Sequence, residues 1–482
     1  MIIKLLGYAP DADPTIMGVL TQCSGVVPSL KGMKGAPSPV VTPMAALAAT
    51  CQGAAVAVKL DGTTRLLAGS GIKLYEAAVS VWSDVSRAAS YTATSTARWR
   101  FAQYGNVSLA ANGADTIQAS TSGAFSCISG APVAAIVEVV GSFAIAFNLS
   151  SNAHGWHCSA NGNQANWSVA VSTQSTIGVL TATPGAITAG KRFGTSVVAY
   201  KKDSMYLGIN VGPPNVWEFN LIPGEAGAMS QEAVVNIGTP DNSKHIFMGS
   251  DDFYIYDGSR PVPIGTNRIK ETVYSALLQS RSYACAALHD RPNTRVYFYY
   301  PVADSVLPDR CVVYNYRTDR WGVDDRQIEA ATDYVTPGIT YASLGNLYAT
   351  YDVLPQSPHD LAFQNSAQIQ PAIFGTDHKI KTLTGPAESS SFTTGDFGGD
   401  ETFFQVSTVR PRFLTKPTSA TWTHYSRNNL GETLSADTEV ALSSLGKFDL
   451  LREARWHRGK MQMVGDWEMA SLNSEAEIGG LE

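Results

Sequence analysis

Residues 197–258 constrain the fold more than any other stretch. They read VVAYKKDSMYLGI, a Pro-rich turn and VWEFNLI, then, after a polar connection, IFMGSDDFYIYDG. Runs of Val, Ile, Phe and Tyr are separated by short Lys-Asp-Ser or Gly-Ser-Asp-Asp segments. β-branched and aromatic residues suit a pleated, half-buried surface, and turn residues between two such runs fold them back as hairpins.

The same plan recurs on both sides. AAVAVKL, an Asp61-Gly62 turn and TRLLAGSGIKLYEA form a first unit, closed by Trp82 and a turn at Asp84. Asp-Gly between apolar runs is the strongest short hairpin signal. Trp99 and Phe101 open a second unit, and a third runs over residues 134–167. The opening stretch holds the fourth and fifth. RVYFYYP and CVVYNYRTDRWG, within 295–322, make the sixth, and ITYASLGNLYATYD, 339–352, the seventh. These anchors recur roughly every 35 to 65 residues, and most gaps are near the length of one four-stranded propeller blade. One small twisted sheet cannot bury both faces, whereas radial stacking buries them and ring closure removes the ends. The expected fold is all-β: a β-propeller of six or seven blades, seven favoured by the anchor count. The rival is a pair of β-sandwiches, against which the fairly regular spacing argues. Trp82, Trp167, Trp217 and Trp321, near strand ends, are expected to wedge between blades rather than stack on sugars or bases.

Around that body the composition shifts. Residues 1–52 carry Pro10, Pro14, Pro28, Pro37, Pro39 and Pro43 and loosening glycines, so they read as an extended arm without its own core, draped over the body or a neighbour. The propeller is expected over 53–353. Residues 354–402, Pro- and Gln-rich and then Ser- and Gly-rich, read as linker or long loops. Residues 403–482 read as a C-terminal β-rich lobe or propeller-completing strands, with a fraying acidic end.

Charged residues are only 16% of the 482 and the net charge is −6, which suits a protein that hides surface in an assembly and disfavours one that grips nucleic-acid phosphates. Six widely spaced cysteines without a CxxC pair argue for buried free thiols in a reducing compartment rather than a zinc or disulfide framework. The beginning of the chain is too short in apolar residues for a signal peptide, and nothing reaches membrane-spanning length.

Chemistry-bearing clusters are few. His154, His157 and Cys158 in HGWHC could offer metal ligands, but the spacing and the absence of a partner cluster favour a structural role. Asp251 with Asp252, and Asp396 with Asp400 and Glu401, could pair as glycosidase carboxylates, but acidic residues in such loops are usually turn formers. Asp11 and Asp13 before Pro14 could suggest a metal loop, but no further ligands follow at calcium-loop spacing, so they read as turn formers. Arg410, Arg412, Arg452, Arg455, His457, Arg458 and Lys460 could meet phosphate, yet read better as a face paired across strands. No catalytic, cofactor-binding or metal residue is assigned, and no cofactor is expected.

Four stretches carry a resemblance: LLGYAPDADPTIMGVL with the following GMKGAPSP, VVAYKKDSMYLG, HIFMGSDDFYIYDGSRPVPIG and KFDLLREARWHR. They resemble tail proteins of short-tailed bacteriophages, in particular the packaged-DNA stabilisation or tail-nozzle class. The resemblance implies a propeller subunit in a homohexameric ring below the portal and adaptor rings. It implies a virion location in the tail after synthesis in the host cytoplasm, and no turnover. Its partners would be sibling copies, portal–adaptor and other tail proteins, and phage DNA passing without sequence-specific binding. The ring lumen is expected to be neutral or acidic, since a basic one would hold DNA. The other functional reading is a β-propeller depolymerase or host-surface adhesin.

Overall fold

Period-two patterning becomes four-stranded antiparallel meanders. In the first, Gly53–Val58, Thr64–Gly69, Leu74–Ala78 and Val81–Asp84 pair in order. Its first turn is closed by Lys59 N–H on the Thr63 carbonyl at 2.9 Å, with Gly62 at a φ of 81° that favours glycine. The structure is a computed structural model that describes residues 1–239, 241–335 and 369–481.

Among the described residues, six four-stranded sheets are free-standing blades of a β-propeller. Five span 53–84, 100–127, 134–179, 189–221 and 234–263. The sixth combines Ala330–Tyr334, Gln370–Phe374 and Ile380–Ala387 with Pro37–Val41 from the arm. The anchor count favoured seven separate blades, and this is corrected. The sixth anchor, within 295–322, folds as part of a meander over 286–323 at the ring position between the fifth and last blades, but this meander is not free-standing. It runs on through Val26–Pro28 and Met33–Gly35 into a ten-stranded sheet. The seventh anchor, 339–352, lies outside the described residues.

First strands of neighbouring sheets lie side by side, and the ring closes where Ala330–Tyr334 meets Gly53–Val58. Apolar faces are sealed between sheets: Leu67, Leu74, Trp99 and Ala110 join the first two blades, while Leu66, Tyr75, Phe374 and Ile380 join the last to the first. Three of the four expected wedges are buried in such seams: Trp167, Trp217 and Trp321. Trp82 is half-buried against Phe374, with its indole N–H on the Ala45 carbonyl. A methyl on Gly69 would lie 2.3 Å from the Trp99 ring, so this seam needs glycine.

The second domain is a β-sandwich made from both ends of the chain. One layer aligns Met33–Gly35, Glu468–Leu481, Thr402–Thr415 and Phe448–Ala454, with Ile2–Lys4 on the long C-terminal strand. The other aligns Val19–Ser24, Ser389–Thr394, Trp456–Val464 and Ser419–Arg427. Their shared core includes Leu20, Met33, Phe392, Trp422, Met461 and Leu472. Three sequence boundaries are therefore corrected. Much of the arm is strand, because its unpaired backbone finds partners hundreds of residues away. The described part of the 354–402 segment forms strands from Gln370 to Gly398. The C-terminal end expected to fray pairs along Thr402–Thr415.

Candidate functional site

The inner ends of the blades surround a cavity of about 140 Å³. Its wall carries Arg98, Arg100, Lys191, Glu232, Tyr283 and Glu329, which come from several sheets and meet because the first strands converge on the axis. Arg100 grips Glu232 with two bonds, Nε to Oε1 at 2.8 Å and Nη2 to Oε2 at 3.1 Å, and donates through Nη1 to the Ala135 carbonyl at 3.0 Å. Burial works to raise the Glu232 carboxyl, but the Arg100 charge and hydrogen bonds outweigh it, and the group is held below its ordinary range. Glu329, 4% exposed, accepts from Cys51 N–H at 2.8 Å and meets His378 Nδ1 at 2.5 Å. Both carboxylates are thus committed.

The remaining cations are not. Arg98 lies over the Tyr283 ring at 5.9 Å, and neither it nor Lys191 makes an ion pair among the described residues. Cys285, also on the wall, is pushed up to about 12 by burial and stays a neutral thiol. The described wall contains neither serine nor histidine. What the site offers is positive charge.

The residues singled out from sequence are not brought together there. On the strand Asn152–Cys158, His154 and Cys158 share one face and His157 the other, so the three cannot converge on one ion. His154 meets the buried Lys201 ammonium at 3.2 Å, while His157 packs edge-on against Trp167. Among the described residues no group of three or more His, Cys, Asp or Glu is placed to hold a metal ion. Asp252 is fully buried and accepts from Phe253 N–H, Gly265 N–H and Thr266, locking a loop. Asp251 accepts from Tyr254. Asp11 caps the helix Lys270–Ala276 by accepting from Glu271 and Thr272, which ties the arm to the propeller. Asp396 is buried between Arg427 and Arg458, and Asp400 accepts from the Trp456 indole. Glu401 is exposed.

The basic patch dissolves in the same way. Arg452 pairs with Asp437, Arg458 with Asp396, and Arg455 covers the Phe403 ring. Lys460 is half-buried beside Thr393 and Thr423, leaving Arg410 and Arg412 exposed on one sheet face. All six cysteines are free, and four are buried as expected; Cys127 departs by being exposed, with Arg87 and Gln118 on its sulfur. The cavity residues escaped the sequence reading because they are single residues on separate blades. The Arg98-Trp99-Arg100 triplet was the only local signal.

His457 is fully buried. Its Nε2 donates to the Phe404 and Ala454 carbonyls at 2.9 and 3.1 Å, so its Nδ1 accepts from His424 Nε2 at 2.9 Å. In the propeller, His245 accepts from Tyr200 and donates to the Arg192 carbonyl. Burial first, then for His424 the His457 charge, pushes His424 down to about 4; burial brings His245 down to about 4 as well. A depressed histidine contributes stability that is present above its unfolded pKa and lost as pH falls through its folded one. Unfolding in urea is expected to become easier between about pH 6.5 and pH 4, by up to roughly 3 kcal/mol for each of these two histidines. His245→Gln should flatten that dependence; an unchanged pH profile would contradict it.

Among the described residues no helix is long and apolar enough to cross a membrane. No family model and no curated protein matches the sequence. Among solved structures, YCF48 bound to D1 peptide is similar with a TM-score of 0.39 and 11% identity, covering 74% of this chain and 98% of that one. YCF48 from Cyanidioschyzon merolae gives 0.36 and 12%, covering 73% and 99%. BBS1N in complex with ARL6DN gives 0.31 and 12%, covering 49% and 71%. These too are propellers, and the likeness says nothing of what this chain binds.

Proposed function

We propose that this chain is a structural protein of a bacteriophage tail, a subunit of a homohexameric ring below the portal–adaptor complex. The ring retains packaged DNA and conducts it during ejection, without turnover. The observation that supports this reading is the use made of the first 41 residues. They complete the sandwich core, cap a propeller helix through Asp11 and supply the outer strand of the last blade. A subunit that holds back DNA gains from a chain whose ends are anchored in both domains. The resemblance of the four sequence stretches points the same way.

The conduit would lie between copies. A cavity of about 140 Å³ is the volume of only a few waters, and no duplex passes through it. Side chains lining the space between copies would be neutral or acidic. Electron microscopy and gel filtration of the purified protein test this: sixfold rings with an open centre are expected. A monomer that clears capsule polysaccharide would establish the depolymerase reading instead.

A further inference from the structure

We infer that the axial cavity is a binding site for a small oxyanion, a carboxylate or phosphate of about six heavy atoms or fewer. This goes beyond the tail reading and does not depend on it. Three cations line the cavity, Arg98, Arg100 and Lys191, against two carboxylates, Glu232 and Glu329. Arg100 is neutralised by Glu232, and Glu329 is turned to Cys51 N–H and His378. Arg98 and Lys191, both half-buried, are left on the wall of this partly open space with no ion-pair partner among the described residues, although Glu232 feels the Arg98 charge. Glu138 feels the Lys191 charge, yet the two do not reach ion-pair distance.

Cations so placed lose hydration and regain it only in part from the wall, and an anion between them restores the balance. The Arg98 fork offers parallel donors to a planar carboxylate or a phosphate, and Lys191 offers a point charge. Gln52, 5% exposed, also lines the cavity, and its Oε1, beside Gly71, has no hydrogen-bond partner among the described residues. The volume sets the size limit. At about 140 Å³ it matches a cavity that holds one six-membered ring.

The test is calorimetric titration of the full chain with inorganic phosphate, lactate and a short acidic peptide. Saturable binding of phosphate or lactate is expected, weakened about tenfold or more by Arg98→Gln or Lys191→Gln. Arg98→Lys should retain more of it than Arg98→Gln, and Lys202→Gln, outside the cavity, should leave it unchanged. Thermal melting of each variant reports whether it is folded. Binding of the peptide with equal or greater affinity would identify the natural anion as an acidic side chain of a partner. Absence of saturation by all three up to about 10 mM, or equal binding by folded Arg98→Gln and Lys191→Gln, would overturn the assignment.

Discussion

A chain lacking residues 1–41 is expected not to fold, although by composition this segment looks dispensable. Ile3, Leu5, Leu20, Val26 and Met33 are 2% exposed or less in the sandwich core. Full burial of one such side chain contributes about 1.5–3 kcal/mol, so together they are worth on the order of 10 kcal/mol. That equals the stability of a typical domain, about 5–15 kcal/mol. Deletion also strips partners from four strands, among them two that are left without a neighbour on one side. Ser389–Thr394 loses Val19–Ser24, and Ile380–Ala387 loses Pro37–Val41. Both become open edges, ready to pair with other chains. The truncated chain should be recovered as aggregate, or as a soluble form without near-ultraviolet circular dichroism. A truncated protein that melts cooperatively at the full-length temperature would show that the N-terminal segment is an appendage after all.

That segment also shows where legibility in the sequence stops. Blades could be read because a hairpin is local: Asp61-Gly62 and the alternating residues beside it lie within a few positions of each other. The arm could not, because its partners are distant. Leu20 lies opposite Thr394 and Pro39 opposite Leu383. Its prolines argued against strand, yet Pro37 and Pro39 sit on an outer strand, where a missing N–H on the open side costs no ladder bond. The Ser-rich stretch after Ala387 misled for a related reason. Serine is a turn former by composition, but Ser390 here is buried and accepts from the Trp467 indole. The blade count was skewed by a meander that carries a blade pattern while its far edge continues into the sandwich. The axial cations gave even less warning, since their meeting is a property of ring closure.

Asp396 marks the limit at single-residue scale, and its substitution has the second large expected effect. In sequence it sits in TTGDFGGDE, where Asp beside glycine reads as a turn or as half of a catalytic pair. In the fold it is 1% exposed and accepts from Arg427 Nη2 at 2.5 Å and from Arg458 Nε and Nη2 at 2.8 and 3.0 Å. Its backbone N–H donates to the Pro14 carbonyl. Asp396→Asn keeps the shape and removes the carboxylate charge held between two guanidinium groups that are 12% and 19% exposed. Arg427 Nε already lacks a hydrogen-bond partner among the described residues. Removing one member of a buried charge cluster costs about 3–5 kcal/mol, because the others stay buried and uncompensated. Urea unfolding should show a loss of that size, while Asp400→Asn, at an exposed position, should stay within about 0.5 kcal/mol of the parent. A catalytic carboxylate would behave in the opposite way, losing turnover on a glycan while leaving stability intact or improved. Replacing the whole cluster, D396L with R427M and R458M, should recover most of the lost stability, since apolar side chains of similar volume remove the charges together with their desolvation cost.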